Sequence, residues 1–141
     1  MIRCRLTSED IGTEALICET FDRSRVTALR HLVAARAGAA GLTGDRLDDF
    51  VVAVNELLTN AVRHGGGTGR LTLSCTDDSV TCEVSDDGAG LGTLLPEKPA
   101  FDQPGGWGLY LVRELTDTFD VKSGPEGTAV RISSRTFGGK T

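Results

Sequence analysis

The sequence predicts an α/β (α+β) two-layer sandwich, with a mixed, mostly antiparallel sheet covered on one face by about three helices. Two observations lead there. Leu71, Leu73 and Cys75 alternate with polar residues, as do Val80, Cys82 and Val84, and a shorter pair follows at Phe119, Val121 and Val130, Ile132; these read as two hairpins. Three other segments repeat apolar residues at helical spacing. Hairpins imply an antiparallel sheet with one apolar face, and amphipathic helices must cover that face. Strands and helices do not alternate along the chain, which excludes a doubly wound nucleotide fold.

In chain order, Gly12 to Phe21 has the short apolar centre Ala15, Leu16, Ile17, Cys18 and reads as a strand. Asp22 or Ser24 then caps a helix that runs through Val26, Leu29, Leu32 and Val33 and stops at Gly41. A second helix starts at Asp45. Its residues Leu47, Phe50, Val51, Val54, Leu57, Leu58, Ala61 and Val62 lie to one side, and three glycines from Gly65 to Gly67 end it. The first hairpin turns at Asp77, Asp78 and Ser79. Asp86 to Gly108 is rich in glycine, proline and acid and has no period; a compact domain must have a use for a segment that long. A third helix is expected from about Gly108 to Thr118, with Leu109, Leu111, Val112 and Leu115 inward, and the second hairpin turns at Gly124 to Gly127. Residues 136–141 read as a loose tail.

The 141 residues fit one domain, 1–141, with one shared core. A net charge of −5 and the lack of a basic run argue against direct nucleic-acid binding, whose affinity comes largely from Lys and Arg. No apolar stretch approaches the roughly 20 residues of a membrane span, and the N-terminus lacks the apolar centre of a secretion signal. A cytoplasmic location, with no membrane association, is the expectation. Cys4, Cys18, Cys75 and Cys82 form no CxxC pair, so a zinc site is not expected; all four should be reduced, with Cys75 and Cys82 as small core residues.

Four short elements bear chemistry. Glu56, Asn60 and His64 stand four residues apart and form one helical stripe. A carboxylate beside a carboxamide offers oxygen ligands, which suit a hard cation such as Mg2+. On a helical wheel Glu56 and Asn60 are placed opposite Val54, Leu58 and Ala61, so both are expected to face away from the sheet. For this stretch alone, a solvated polar face explains the pattern as well. Asp86-Asp87-Gly88-Ala89-Gly90 follows a strand; its glycines let backbone pass close to a flat ligand, and Asp86 can accept a hydrogen bond from an exocyclic amine. An ordinary Asp/Gly turn is the bland alternative. Gly105-Gly106-Trp107-Gly108-Leu109 opens a helix, where free N–H groups and the positive dipole end suit phosphate oxygens. Gly127-Thr128-Ala129-Val130 is a turn entering a strand.

Together, and in this order, these elements resemble the boxes of the GHKL ATPases, the superfamily of gyrase, the heat-shock chaperone, histidine kinases and MutL. Glu56 to Asn60 is similar to the N box, Asp86-x-Gly88-x-Gly90 to the first glycine box, Gly106-x-Gly108-Leu109 to the second and Gly127-Thr128 to the third; the resemblance covers roughly Asp22 to Ser134. It implies the Bergerat ATP-binding fold, with ATP and Mg2+ as cofactors. It also implies that Asn60 coordinates Mg2+, that Asp86 binds the adenine amine with help from Thr128, and that Gly88 and Gly90 border the base. By the same resemblance Gly106, Gly108 and Leu109 sit by the nucleotide, residues 91–105 form a lid over it, and Glu56 is the general base. Arg63 is a further candidate for phosphate, although a plain surface Arg reads equally well. His64 reads as the helix end rather than a catalytic group. The lid contains Pro96, Pro99 and Pro104, and Trp107 stands between the phosphate glycines, where it either packs under the lid or obstructs it.

Within that superfamily the sequence is similar to the free-standing anti-sigma factor serine kinases at Glu56 to Gly65. About 20 residues precede the first helix, too few for the phospho-accepting domain of a sensor kinase. The resemblance therefore implies an anti-sigma factor and serine/threonine protein kinase. Its partners would be a sigma factor and a small anti-anti-sigma (STAS-type) protein phosphorylated on Ser or Thr, and a homodimer is implied in the same way. The alternative is a non-catalytic ATP-binding regulatory module that sequesters a protein partner.

Overall fold

The structure is a computed structural model, and it describes residues 13–64, 66–86, 106–124 and 127–136. Strand β1 (Glu14–Asp22) leads through a short 3-10 turn (Arg23–Arg25) into helix α1 (Val26–Ala39) and then α2 (Gly44–His64). The hairpin β2 (Thr68–Cys75) and β3 (Ser79–Asp86) follows, then α3 (Gly106–Leu115) and the hairpin β4 (Thr118–Gly124) and β5 (Gly127–Arg135). The sheet order is β1-β2-β3-β5-β4. Every pairing among the described residues is antiparallel, so there the mixed, mostly antiparallel sheet expected from the sequence is corrected to an antiparallel one. The third helix also starts two residues earlier and ends three earlier than expected, because Thr116 closes it by donating its hydroxyl to the Val112 carbonyl at 2.8 Å.

The alternation seen in the sequence becomes two faces. Ile17, Leu71, Leu73, Val80, Cys82, Val84, Val130 and Ile132 are buried beneath the helices. Helix α2 is central: it packs against α1 and α3 and lies on β2, β3 and β5. On the opposite face Glu83 and Arg131 stand directly across from each other and form an ion pair at 3.8 Å, an exposed contact of small energetic weight.

Local chemistry fixes the ends of the elements. Asp22 caps the 3-10 turn by accepting the Ser24 N–H at 2.9 Å and the Ser24 hydroxyl at 2.6 Å. These bonds, the hydroxyl first, hold the Asp22 carboxyl below its ordinary value. A depressed carboxylate stabilises the fold fully above its unfolded value, near pH 4, and that contribution is lost as pH falls through the depressed value. The expected result is that Asp22→Ala melts below wild type at neutral pH and that the gap in Tm narrows as the pH is lowered through 4 toward 2.

Helix α1 stops in a Schellman motif. Gly41 adopts φ 113°, the Leu42 N–H reaches the Ala37 carbonyl at 3.0 Å, and the Gly41 N–H reaches the Gly38 carbonyl at 3.0 Å. Thr136, assigned from sequence to the loose tail, is held instead: its N–H donates to the Asp78 carbonyl at 2.9 Å. Residues 137–141 lie outside the described residues.

Gly69 on β2 answers a different constraint. A Cβ there would lie 2.8 Å from Phe21 Cζ and 2.9 Å from the Ser85 carbonyl oxygen. Phe21, directly across on β1, is buried with its ring over that position. Gly69→Ala is expected to cost about 1–3 kcal/mol, measured as a lower urea midpoint, because the ring and the neighbouring backbone must move apart.

Cys82 is fully buried and Cys75 half-buried, both as free thiols, as the alternation implied. Burial pushes both thiols up. Cys18 departs from the expectation of reduced cysteines: it is disulfide-bonded. Among the described residues no helix is long and apolar enough to cross a membrane.

Candidate nucleotide site

A small pocket opens where α2, β3, β5 and α3 meet, lined by Leu57, Asn60, Ala61, Val84, Asp86, Leu109, Thr128 and Val130. Four of the residues singled out in the sequence, Asn60, Asp86, Leu109 and Thr128, therefore share one wall system although they are spread over 69 positions of the chain.

Sheet register produces half of this convergence. Asp86 is the last residue of β3 and Thr128 the second of β5, and the antiparallel ladder sets them directly opposite. Thr128 is buried and Asp86 half-buried. Helix α2 supplies Asn60, which is only 9% exposed and sits on the sheet side. The expectation that Asn60 faces away from the sheet is thus corrected. At about 100° per residue, Asn60 stands about 20° from Ala53 and about 60° from Leu57, so it borders the buried arc rather than opposing it. That arc is wide because α2 touches two helices as well as the sheet; Phe50, Ala53, Val54, Leu57, Leu58, Asn60 and Ala61 are all buried.

Glu56 precedes Asn60 by four residues, about 6 Å along the helix axis. It is half-buried and does not line the pocket. Arg63 is exposed near the end of α2, and His64 is its last residue. Gly106 and Gly108 lie in the first turn of α3, and Leu109, next in line, reaches the pocket. The N–H groups of such a first turn have no carbonyl partner within the helix and mark its positive end. Gly88, Gly90 and the expected lid, 91–105, lie outside the described residues.

The chemistry of the lining is mostly apolar with a few polar handles. Leu57, Ala61, Val84, Leu109 and Val130 form apolar walls, while Asn60, Asp86 and Thr128 provide hydrogen-bonding groups. Leu57, Ala61, Val84 and Val130 read from the sequence as core alone; their place one or two positions from a polar box residue is the trait that marks them as walls. Among the described residues no group of three or more His, Cys, Asp or Glu side chains is arranged to hold a metal ion.

Residues 20–134 match the family described as a histidine kinase-like ATPase domain. Among curated proteins, the chain is 33% identical over 110 residues to the serine-protein kinase RsbW of Halalkalibacterium halodurans, covering 69% of this chain and 68% of that protein. It is 30% identical over 115 residues to an anti-sigma F factor of Thermoanaerobacter, covering 74% and 80%. It is 35% identical over 100 residues to the sensor histidine kinase YxdK of Bacillus subtilis, covering 57% of this chain but spanning only 31% of that longer protein. Among solved structures, the RsbU and RsbW domains of a Mycobacterium tuberculosis protein superpose with a TM-score of 0.65 at 21% identity, covering 84% of this chain and 31% of that one, which shows the same fold.

Proposed function

Because this chain belongs to the histidine kinase-like ATPase domain family, we propose that it binds Mg-ATP in the pocket between α2 and the sheet and acts as an anti-sigma factor and serine/threonine protein kinase. The observation that supports this reading most is the convergence of Asn60, Asp86 and Thr128 on one apolar-walled pocket, with the glycine-opened start of α3 at its edge. The relatives named serine-protein kinase and anti-sigma F factor favour this branch. The partners would then be a sigma factor and a small anti-anti-sigma protein carrying the accepting hydroxyl, in the cytoplasm, with a homodimer as the active form.

The residues fit the nucleotide. A planar base is matched by the apolar walls, and its exocyclic amine by the Asp86 carboxylate, with Thr128 beside it. The triphosphate would run toward the first turn of α3, whose backbone N–H groups complement negative charge. A bound Mg2+ supplies neutralisation of the phosphate oxygens, and Asn60 gives it one oxygen ligand. Mg2+ commonly takes one or two protein oxygens plus phosphates and water, so a single carboxamide is consistent with the lack of an all-protein metal cage among the described residues. Phosphoryl transfer is then mainly positioning and charge stabilisation, with Glu56 receiving the proton of the attacking hydroxyl.

Calorimetric titration of ATP with and without Mg2+ tests the site. Wild type is expected to bind more tightly with Mg2+. Asn60→Ala is expected to lose that Mg2+ dependence while keeping the metal-free affinity within about threefold, since the adenine contacts remain. If wild type binds no adenine nucleotide at millimolar concentration, the reading fails. One observation favours the second reading, a non-catalytic ATP-binding module: Glu56 does not line the pocket.

A further inference from the structure

The helical layer leaves two large apolar side chains in solvent. Among the described residues, Val52 on α2 is 45% exposed and Leu111 on α3 is 40% exposed. A single exposed apolar residue is ordinary. These two stand on neighbouring helices, because α2 and α3 pack against each other.

The two helices run antiparallel. Leu109, near the start of α3, shares the pocket with Leu57, Asn60 and Ala61 near the end of α2. Asp117, just after α3, accepts Arg46 Nη1 from the start of α2 at 2.7 Å. With a rise of about 1.5 Å per residue, Leu111 lies about 3 Å past Leu109, level with the turn of α2 that carries Glu56. Val52 precedes Glu56 by four residues and shares its stripe. Glu56, the candidate base, therefore has an exposed apolar side chain one turn before it on α2 and another at its level on α3.

The charge around Val52 has one sign. At about 100° per residue, Asp45, Asp48, Asp49 and Glu56 all stand within about 60° of Val52. None of these four carboxylates forms an ion pair with a described residue. The cations of the same layer are engaged elsewhere. Arg46 donates to Asp117, and Arg30 on α1 donates to the Asn55 carboxamide oxygen at 3.5 Å. Arg113 lies 5.5 Å from the centre of the Tyr110 ring and pairs with Glu114 at 3.7 Å. Arg63 shares the stripe but lies seven residues beyond Glu56, about 10 Å along the axis. Exposed apolar groups with an uncompensated acidic margin complement a chain segment that has apolar side chains flanked by Lys or Arg.

We propose that the outer surface of α2 and α3 around Glu56 docks a partner protein through a basic segment whose apolar side chains seat on Val52 and Leu111. That this segment carries the accepting hydroxyl to Glu56 rests on the kinase reading above; the docking itself needs no nucleotide.

The test is an amide chemical-shift titration of the full chain without nucleotide, once with the end-capped peptide Lys-Leu-Ser-Leu-Lys and once with Glu-Leu-Ser-Leu-Glu. The Lys peptide is expected to give saturable shifts at the amides of Val52, Glu56 and Leu111, with a millimolar midpoint that weakens as salt is raised. The Glu peptide is expected to bind at least tenfold more weakly. Val52→Ala and Leu111→Ala truncate exposed side chains, and together they are expected to weaken the Lys peptide about tenfold while the melting curve stays that of wild type. Shifts that rise linearly without saturating, equal binding of the two peptides, or saturation that the double variant leaves unchanged would overturn the proposal. Mg-ATP is then added to the peptide complex. Saturable binding without transfer to the peptide Ser supports the docking surface and counts against the kinase reading alone.

Discussion

Asp86→Ala is expected to weaken adenine-nucleotide binding by about 10- to 150-fold, read by calorimetry in Mg2+ buffer. A hydrogen bond to a charged group contributes roughly 1.5–3 kcal/mol, and each 1.4 kcal/mol is a factor of ten. The effect is sharpened by the surroundings: Asp86 shares its pocket with Leu57, Val84, Leu109 and Val130, so a base amine left unpaired there also loses water. Asp86→Asn separates charge from shape. It keeps an acceptor oxygen, and its loss is expected to fall between wild type and the alanine variant. The same carboxylate should discriminate between bases, since guanine presents an oxygen where adenine presents its amine. GTP is therefore expected to bind at least tenfold more weakly than ATP to wild type, and Asp86→Ala is expected to shrink that difference. Equal ATP affinity in wild type and Asp86→Ala would remove Asp86 from the base-binding role. Circular dichroism of the variant guards against a trivial outcome; Asp86 ends β3, and its replacement leaves the rest of the ladder intact.

The second large effect concerns chemistry without binding. Glu56→Gln is expected to keep nucleotide affinity within about twofold and to slow phosphoryl transfer by about 10²- to 10⁴-fold, the usual contribution of a positioned general base. The assay is single-turnover transfer of label from the γ-phosphate of ATP to a Ser- or Thr-bearing partner. Glu56 is half-buried one helical turn before Asn60 and outside the pocket lining, so the role assigned to it is toward the incoming hydroxyl and not toward the base. Transfer that persists at the wild-type rate in Glu56→Gln would exclude Glu56 as the base. A wild type that captures its partner and binds ATP but transfers nothing would favour the non-catalytic module.

Much of the architecture was legible in the sequence, for identifiable reasons. The alternation of Leu71, Leu73, Val80, Cys82 and Val84 states both the strands and their buried face, because the side-chain period of a strand is two. The glycines at 41, 66 and 67 mark helix ends because few other residues accept the positive φ found there. Site residues were legible as residue types in order: Asn60, Asp86, Leu109 and Thr128 were named from their boxes, and the structure brings those four to one pocket.

What escaped has a common cause, which is contact at long sequence range. The orientation of Asn60 was misjudged because a wheel drawn for one helix on one sheet ignores the flanking helices α1 and α3. Arg46 and Asp117 meet across 71 residues, and neither belongs to a motif. Gly69 belongs to no sequence motif; the Phe21 ring lying over it shows why a larger residue is refused. The disulfide at Cys18 ran against a composition argument that spoke of compartments, not of geometry.

The register between β3 and β5 makes the polar end of the pocket a matter of counting. Asp86 meets Thr128 because the β3–β5 ladder runs without a shift from Ser79 opposite Arg135 to Asp86 opposite Thr128. A slip of one position along β5 would present Ala129 in place of Thr128 and turn each side chain of that strand to the other face. The evenness of that ladder thus acts as a gauge for the candidate site. A one-residue insertion within β3 or β5 is expected to be tolerated less well than a substitution on the exposed face of either strand, read as a loss of nucleotide affinity and of Tm.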